Sequence, residues 1–150
     1  TLVGQNLGAK QIERAELSVI KTAKYNVIFM IFISAVSIPG ARIMVSFFTN
    51  DPGVQDVAVQ AMRIIGAGYM FYGVGMVLIN AFNGAGDTWT PTWINLFGFW
   101  FFQIPLAYLL AKFFQMGPQG VFIAIPVTEI AITIAGYVLF KRGKWKRIKV

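Results

Sequence analysis

The chain has 150 residues, 57% hydrophobic and only 13% charged, with thirteen Lys and Arg against six Asp and Glu for a net charge of +7. A soluble domain carries about 45–50% apolar and about 25% charged residues, so this chain has too little charge to solvate a globule and reads as an integral membrane protein. It contains neither Cys nor His, which excludes a disulfide framework, Cys/His metal sites, and Cys–His or Ser–His catalysis.

The basic residues fall in two terminal clusters: Lys10, Arg14, Lys21 and Lys24, then Lys141, Arg142, Lys144, Lys146, Arg147 and Lys149. Only Arg42, Arg63 and Lys112 lie between them. Cations that flank apolar runs instead of covering one face argue against nucleic-acid binding. Over residues 10–24, Ile12, Val19, Ile20 and Ala23 recur at helical spacing. This predicts an amphipathic helix lying at the membrane interface, although a charged linker helix is equally compatible.

Charge-free runs then set the spans. Tyr25–Ala41 supplies 17 residues and continues past Arg42 to Phe48, Ile64–Gly86 supplies 23, and Thr88–Ala111 supplies 24. Roughly 20 apolar residues cross the hydrocarbon core as a helix. The expected all-α fold therefore has four transmembrane helices, at about 26–48, 59–83, 91–113 and 120–140, followed by a basic tail over 141–150. Breaker-rich turns separate them at Thr49–Gly53, made acidic by Asp51 and Asp56, at Asn83–Thr88 with Pro91 just beyond, and at Gln115–Pro118. Four spans return the chain to its starting side, and the positive-inside rule puts both basic ends in the cytoplasm. No signal-peptide pattern opens the chain. It begins with Thr-Leu-Val-Gly directly before a helix end, and is expected to be a fragment.

Polar and small residues inside the spans are the functional candidates. Gly66 and Gly73, and likewise Gly68 and Gly75, are seven residues apart, forming stripes that suit close helix packing or a smooth face that slides or bends. Pro39, Pro105 and Pro126 fall in three different spans, where each frees a backbone carbonyl and is expected to kink its helix. Glu129, three residues after Pro126, is costly at membrane depth and should face the bundle interior or water. There it either makes a structural hydrogen bond or couples the flow of Na⁺ or H⁺ to that of a substrate. Asn80, Asn83, Asn95 and Gln103 either bond between helices or line a polar path. Arg42 and Arg63, near outer ends, are expected to snorkel. Phe97, Phe99, Trp100, Phe101 and Phe102 face lipid or line a site for flat lipophilic cations, with Trp100 retained as a cavity-lining candidate. Trp89, Trp93 and Trp145 fit an interfacial belt.

Several motifs resemble one family in the right order. These are Val3-Gly4-Gln5-Asn6-Leu7-Gly8-Ala9, Phe48-Thr49-Asn50-Asp51-Pro52, Ala81-Phe82-Asn83-Gly84-Ala85-Gly86-Asp87-Thr88 with Pro91, and Gly117-Pro118-Gln119-Gly120-Val121. Together they make the chain similar to the multidrug and toxic compound extrusion (MATE) family over nearly its whole length. That resemblance implies a twelve-helix, two-lobe transporter of the plasma (inner) membrane. The chain would supply part of the C-terminal lobe, from the end of the eighth helix through the twelfth, and lack the N-terminal lobe. It further implies an antiporter that exports organic cations, drugs or metabolites in exchange for Na⁺ or H⁺, with no other cofactor and no metal. Some members hold a coupling acid in the N-terminal lobe and others in the tenth helix. Span 59–83 contains no Asp or Glu, which leaves Glu129 as the ion-coupling candidate. In the turn motif, Gly84 and Gly86 are expected to take positive φ and Asp87 to accept backbone N–H groups at the next helix start, a structural or gating role shared with Pro91 and Pro126.

Three alternatives are weaker. A flippase for lipid-linked precursors or polysaccharides of the same superfamily needs a strongly basic cavity, and the spans offer only Arg42 and Arg63. A membrane-embedded enzyme needs paired Asp or His motifs that the spans lack. A non-transporting structural subunit requires that the chain be complete. As part of a lobe, residues 1–150 alone are expected not to transport.

Overall fold

The computed structural model describes residues 1–147, so residues 148–150 of the expected basic tail, including Lys149, lie outside the described residues. The described residues form α1 (Leu2–Gly8), α2 (Ile12–Ser46), α3 (Pro52–Ala67), α4 (Tyr69–Gly84), α5 (Trp89–Phe113) and α6 (Pro118–Lys141), then a 3₁₀ turn at Lys144–Arg147. Helices α2, α5 and α6 are each long and apolar enough to cross a membrane, and α3 with α4 passes as one span bent by 54°. Among the described residues all regular structure is helical, as in an α-helical membrane protein.

Neither Gly nor Pro occurs between Ile12 and Ile38, and α2 runs unbroken for 35 residues. At about 1.5 Å per residue it is roughly 52 Å long, well beyond a ~30 Å hydrocarbon core. The segment expected as a separate interfacial helix is thus the first part of this rod. Asp51 starts α3, its Oδ1 accepting from the Val54 N–H at 3.0 Å, while Pro52 occupies the first turn where a missing N–H costs nothing.

The expected single span over 59–83 is instead two helices meeting at Gly68. Pro39 and Pro126 sit inside helices that continue through them, and the 54° bend between α3 and α4 falls at Gly68. Neighbouring helices satisfy and brace this joint. Ser34 Oγ donates to the Gly66 carbonyl at 2.7 Å, Thr133 Oγ1 donates to the Phe71 carbonyl at 2.7 Å, and the Pro126 ring seats on Gly68. A Cβ built on Gly68 would lie 2.5 Å from Pro126 Cβ.

Each glycine stripe serves one neighbour. Gly66 and Gly73 admit Ile38 and Asn26 of α2, whereas Gly68 and Gly75 admit Pro126 and Thr133 of α6. The seven-residue spacing thus wedges the bent pair between α2 and α6. Gly68→Ala is expected to destabilise the full-length protein by about 1–3 kcal/mol through overpacking. Adding Pro126→Ala should recover part of that loss, a coupling readable in a double-mutant cycle of melting temperatures.

Helix α5 is α-helical only at Trp89–Asn95 and Ile104–Tyr108; the stretches Leu96–Gln103 and Leu109–Phe113 are wider π turns. Pro105 has no N–H to return to the α ladder, which favours a widened turn before it. Its contact with α6 is close at two glycines. A Cβ on Gly120 would lie 2.6 Å from the Ala111 backbone nitrogen, and one on Gly98 would lie 2.7 Å from Ile132 Cδ1.

The hydrophobic core gathers where the two termini meet. Val3, Ala15, Val19, Leu78, Phe82, Ile94, Ile132, Phe140 and Trp145 form one buried cluster. Trp145, expected in an interfacial belt, is fully buried at 0% exposure. It stacks on Phe140 with centroids 4.8 Å apart and donates from Nε1 to the Phe140 carbonyl at 3.0 Å. Lys146 pairs with Glu16 of α2, closing the tail over the start of that helix. Trp89 and Trp93 do remain exposed.

Candidate functional site: a polar cavity and a bent span

Helices α1, α2 and α4 line an open cavity of about 420 Å³. Its polar lining comes mainly from one stripe of α2, Ser18, Thr22 and Asn26 at four-residue spacing, with Asn80 opposite on α4. The Asn26 Oδ1 is buried without a hydrogen-bond partner. An unsatisfied buried acceptor costs about 1–3 kcal/mol, and this oxygen packs against Gly73 of α4. Asn26 was not among the sequence candidates; its signal was the Ser-Thr-Asn stripe at helical spacing.

Of the residues expected to line a cavity, Asn80 does so here, while its Nδ2 donates to the Met76 carbonyl of its own helix at 2.9 Å. Asn83, Asn95, Gln103 and Trp100 are absent from that lining. Asn83 is exposed, Asn95 and Gln103 are half-buried on α5, and Trp100 is 67% exposed on its outer surface. The expected candidates are therefore not brought together in one site.

Glu129 lies elsewhere, half-buried on α6. At 100° per residue it shares a face with Pro126 and Thr133, the two residues that meet the bent pair at Gly68 and Gly75. The two ion pairs among the described residues are Arg42–Asp56 and Lys146–Glu16. Glu129 enters neither. Arg42 therefore reaches an acid on α3, at 2.7 Å, and Arg63 Nε donates to the Ile38 carbonyl at 3.3 Å.

In the turn between α4 and α5, Gly86 adopts φ 82°, a conformation glycine reaches without a Cβ clash. Gly84 does not; it ends α4 in ordinary helical geometry. Its smallness serves close approach instead, since Val3 and Gly4 of α1 pack directly on it. Asp87 Oδ1 accepts from the Thr90 N–H at 3.0 Å and Oδ2 from the Thr90 hydroxyl at 2.6 Å, and Pro91 is buried in the first turn of α5. Asp87→Ala should cost about 1 kcal/mol of helix capping, visible as a lower melting temperature of the full-length protein. An unchanged melting temperature would show that the turn holds without this cap. Among the described residues, no group of three or more Asp or Glu side chains could hold a metal ion.

The MatE family model matches residues 1–109. The chain is 26% identical over 148 residues to the probable multidrug resistance protein NorM of Thermotoga maritima, covering 98% of this chain and 32% of that protein. It is 26% identical over 147 residues to the multidrug resistance protein MdtK of Photorhabdus laumondii, covering 95% and 32%. To the FAD transporter of Shewanella oneidensis it is 26% identical over 140 residues, covering 93% and 30%. The chain thus spans about a third of the length of these curated relatives. No solved structure gives a significant match. With its apolar helices, its Gly-Ala-Gly-Asp-Thr turn and a family match over most of its residues, the chain belongs to the MatE family, a family of membrane transporters.

Proposed function

We propose that the chain forms part of the C-terminal lobe of a two-lobed efflux transporter in the plasma (inner) membrane, with both ends in the cytoplasm. The transporter exports drugs or metabolites, organic cations foremost, in exchange for Na⁺ or H⁺. The multidrug resistance names of its relatives support export of small molecules, and the name of the FAD transporter supports metabolites as a second substrate class.

The observation that carries the coupling is the position of Glu129. The one acid well inside a span shares the face of α6 that meets the joint of α3 and α4. Binding a proton or Na⁺ there changes the charge beside a bent element, and an ion that binds one bend better than another shifts the population between them. The cavity lined by Asn26 and Asn80 supplies the polar wall of the path.

The test is ethidium efflux from cells stripped of their own pumps and expressing the full-length protein. Efflux faster than in vector controls is the expected result. No efflux from a well-expressed protein would contradict export of lipophilic cations.

A further inference from the structure

Between α5 and α6 lies a second cavity, an apolar groove of about 390 Å³ that shares no lining residue with the polar one. One wall is Trp93 and Phe97, stacked with centroids 5.7 Å apart; the other is Ile132, Ala135 and Leu139. The Gly98–Ile132 contact forms its floor. The end of the groove nearest the termini is not apolar. Arg142, exposed, follows Leu139 by three residues and Ala135 by seven, so it continues the same face of α6 one turn past the groove. Trp89, 72% exposed, stands one turn before Trp93 on the opposite wall. Lys141, Arg142, Lys144 and Lys146 follow at the end of α6, against Glu16, which pairs with Lys146, and Asp87, which keeps its charge while accepting from Thr90, so the mouth is net positive.

We propose that this groove binds an anionic phospholipid, one acyl chain lying between α5 and α6 and the phosphate held at Arg142. An apolar channel at membrane depth is filled by hydrocarbon, which gains dispersion contacts with the aromatic wall. Guanidinium matches phosphate oxygens bidentately. Basic mouths between membrane helices on the cytoplasmic side select acidic headgroups, and indoles settle at headgroup level. The inference rests on the proposed cytoplasmic placement of both ends and not on the export reading, since the same positive mouth disfavours a cationic substrate.

The full-length protein, purified in detergent, would be given equal amounts of palmitoyl-oleoyl phosphatidylglycerol and phosphatidylcholine and examined by native mass spectrometry. The wild type should retain phosphatidylglycerol over phosphatidylcholine by about fivefold, the ratio set by one surface cation. Arg142→Gln should erase that preference while still retaining lipid, and Ala135→Phe should release both lipids by filling the groove. A wild type without preference, or an Arg142→Gln protein that keeps it, would overturn the proposal. So would displacement of phosphatidylglycerol by ethidium, which would make the groove a substrate site. If Ala135→Phe fails to fold, the Arg142→Gln ratio decides alone.

Discussion

Trp145→Ala is expected to cost the full-length protein about 3–5 kcal/mol, the range for emptying a buried aromatic site. The indole is fully buried, lies face to face with Phe140, and through Phe140 meets Phe82 of α4 edge-on at 6.3 Å. Its removal opens a void at the point where α2, α4 and α6 converge. Trp145→Phe keeps the stacking but loses the Nε1 hydrogen bond and part of the buried ring volume, together about 1–3 kcal/mol. Thermal unfolding in detergent should therefore rank wild type above Trp145→Phe, and Trp145→Phe well above Trp145→Ala. A belt tryptophan facing lipid headgroups would show three nearly equal melting temperatures, and that result would refute the buried assignment.

Glu129→Gln should leave expression and melting temperature near wild type and reduce gradient-driven efflux to the background of cells without the transporter. Gln keeps the size and hydrogen-bonding capacity of the carboxyl group but cannot carry the charge that a cation or proton neutralises. The side chain belongs to neither ion pair among the described residues, so its replacement breaks no salt bridge. If instead Glu129 were only a structural hydrogen bonder, Gln would substitute for it and transport would persist. The comparison with Asp87→Ala separates the two effects, because that change weakens a helix start without touching the face beside the bent pair.

The helices were legible because their signal is local: long charge-free runs, breakers between them, and cations outside them. The Gly86–Asp87 turn was equally readable, one residue needing positive φ and the next capping α5. The role of Gly84 is not legible, because a glycine needed for close approach to α1 looks the same in sequence as one needed for its backbone angle. The bend at Gly68 was hidden for a related reason. The glycine stripes were visible, but a stripe that admits a neighbour and a joint that bends share one signature, and only the seating of Pro126 distinguishes them. Trp145 was misplaced because its burial depends on a fold-back whose salt bridge joins residues 130 positions apart. For the candidate site, Glu129 stood out by its cost at membrane depth, whereas the face it shares with Pro126 and Thr133 acquires meaning only once α3 and α4 are in place. Asn26 is not legible as a site residue, because an amide near a span end is ordinary until Gly73 packs opposite it and the cavity opens beside it.

The central claim, ion-coupled export through a lobe to which this chain contributes Glu129, is tested most directly with the full-length protein reconstituted in liposomes under an imposed Na⁺ or proton gradient. Ethidium should move against its own gradient when one of these two ion gradients is present, stop when that gradient is collapsed with the matching ionophore, and stop likewise in Glu129→Gln. Ethidium movement that is equal with and without either gradient, or undiminished in Glu129→Gln, would contradict the account.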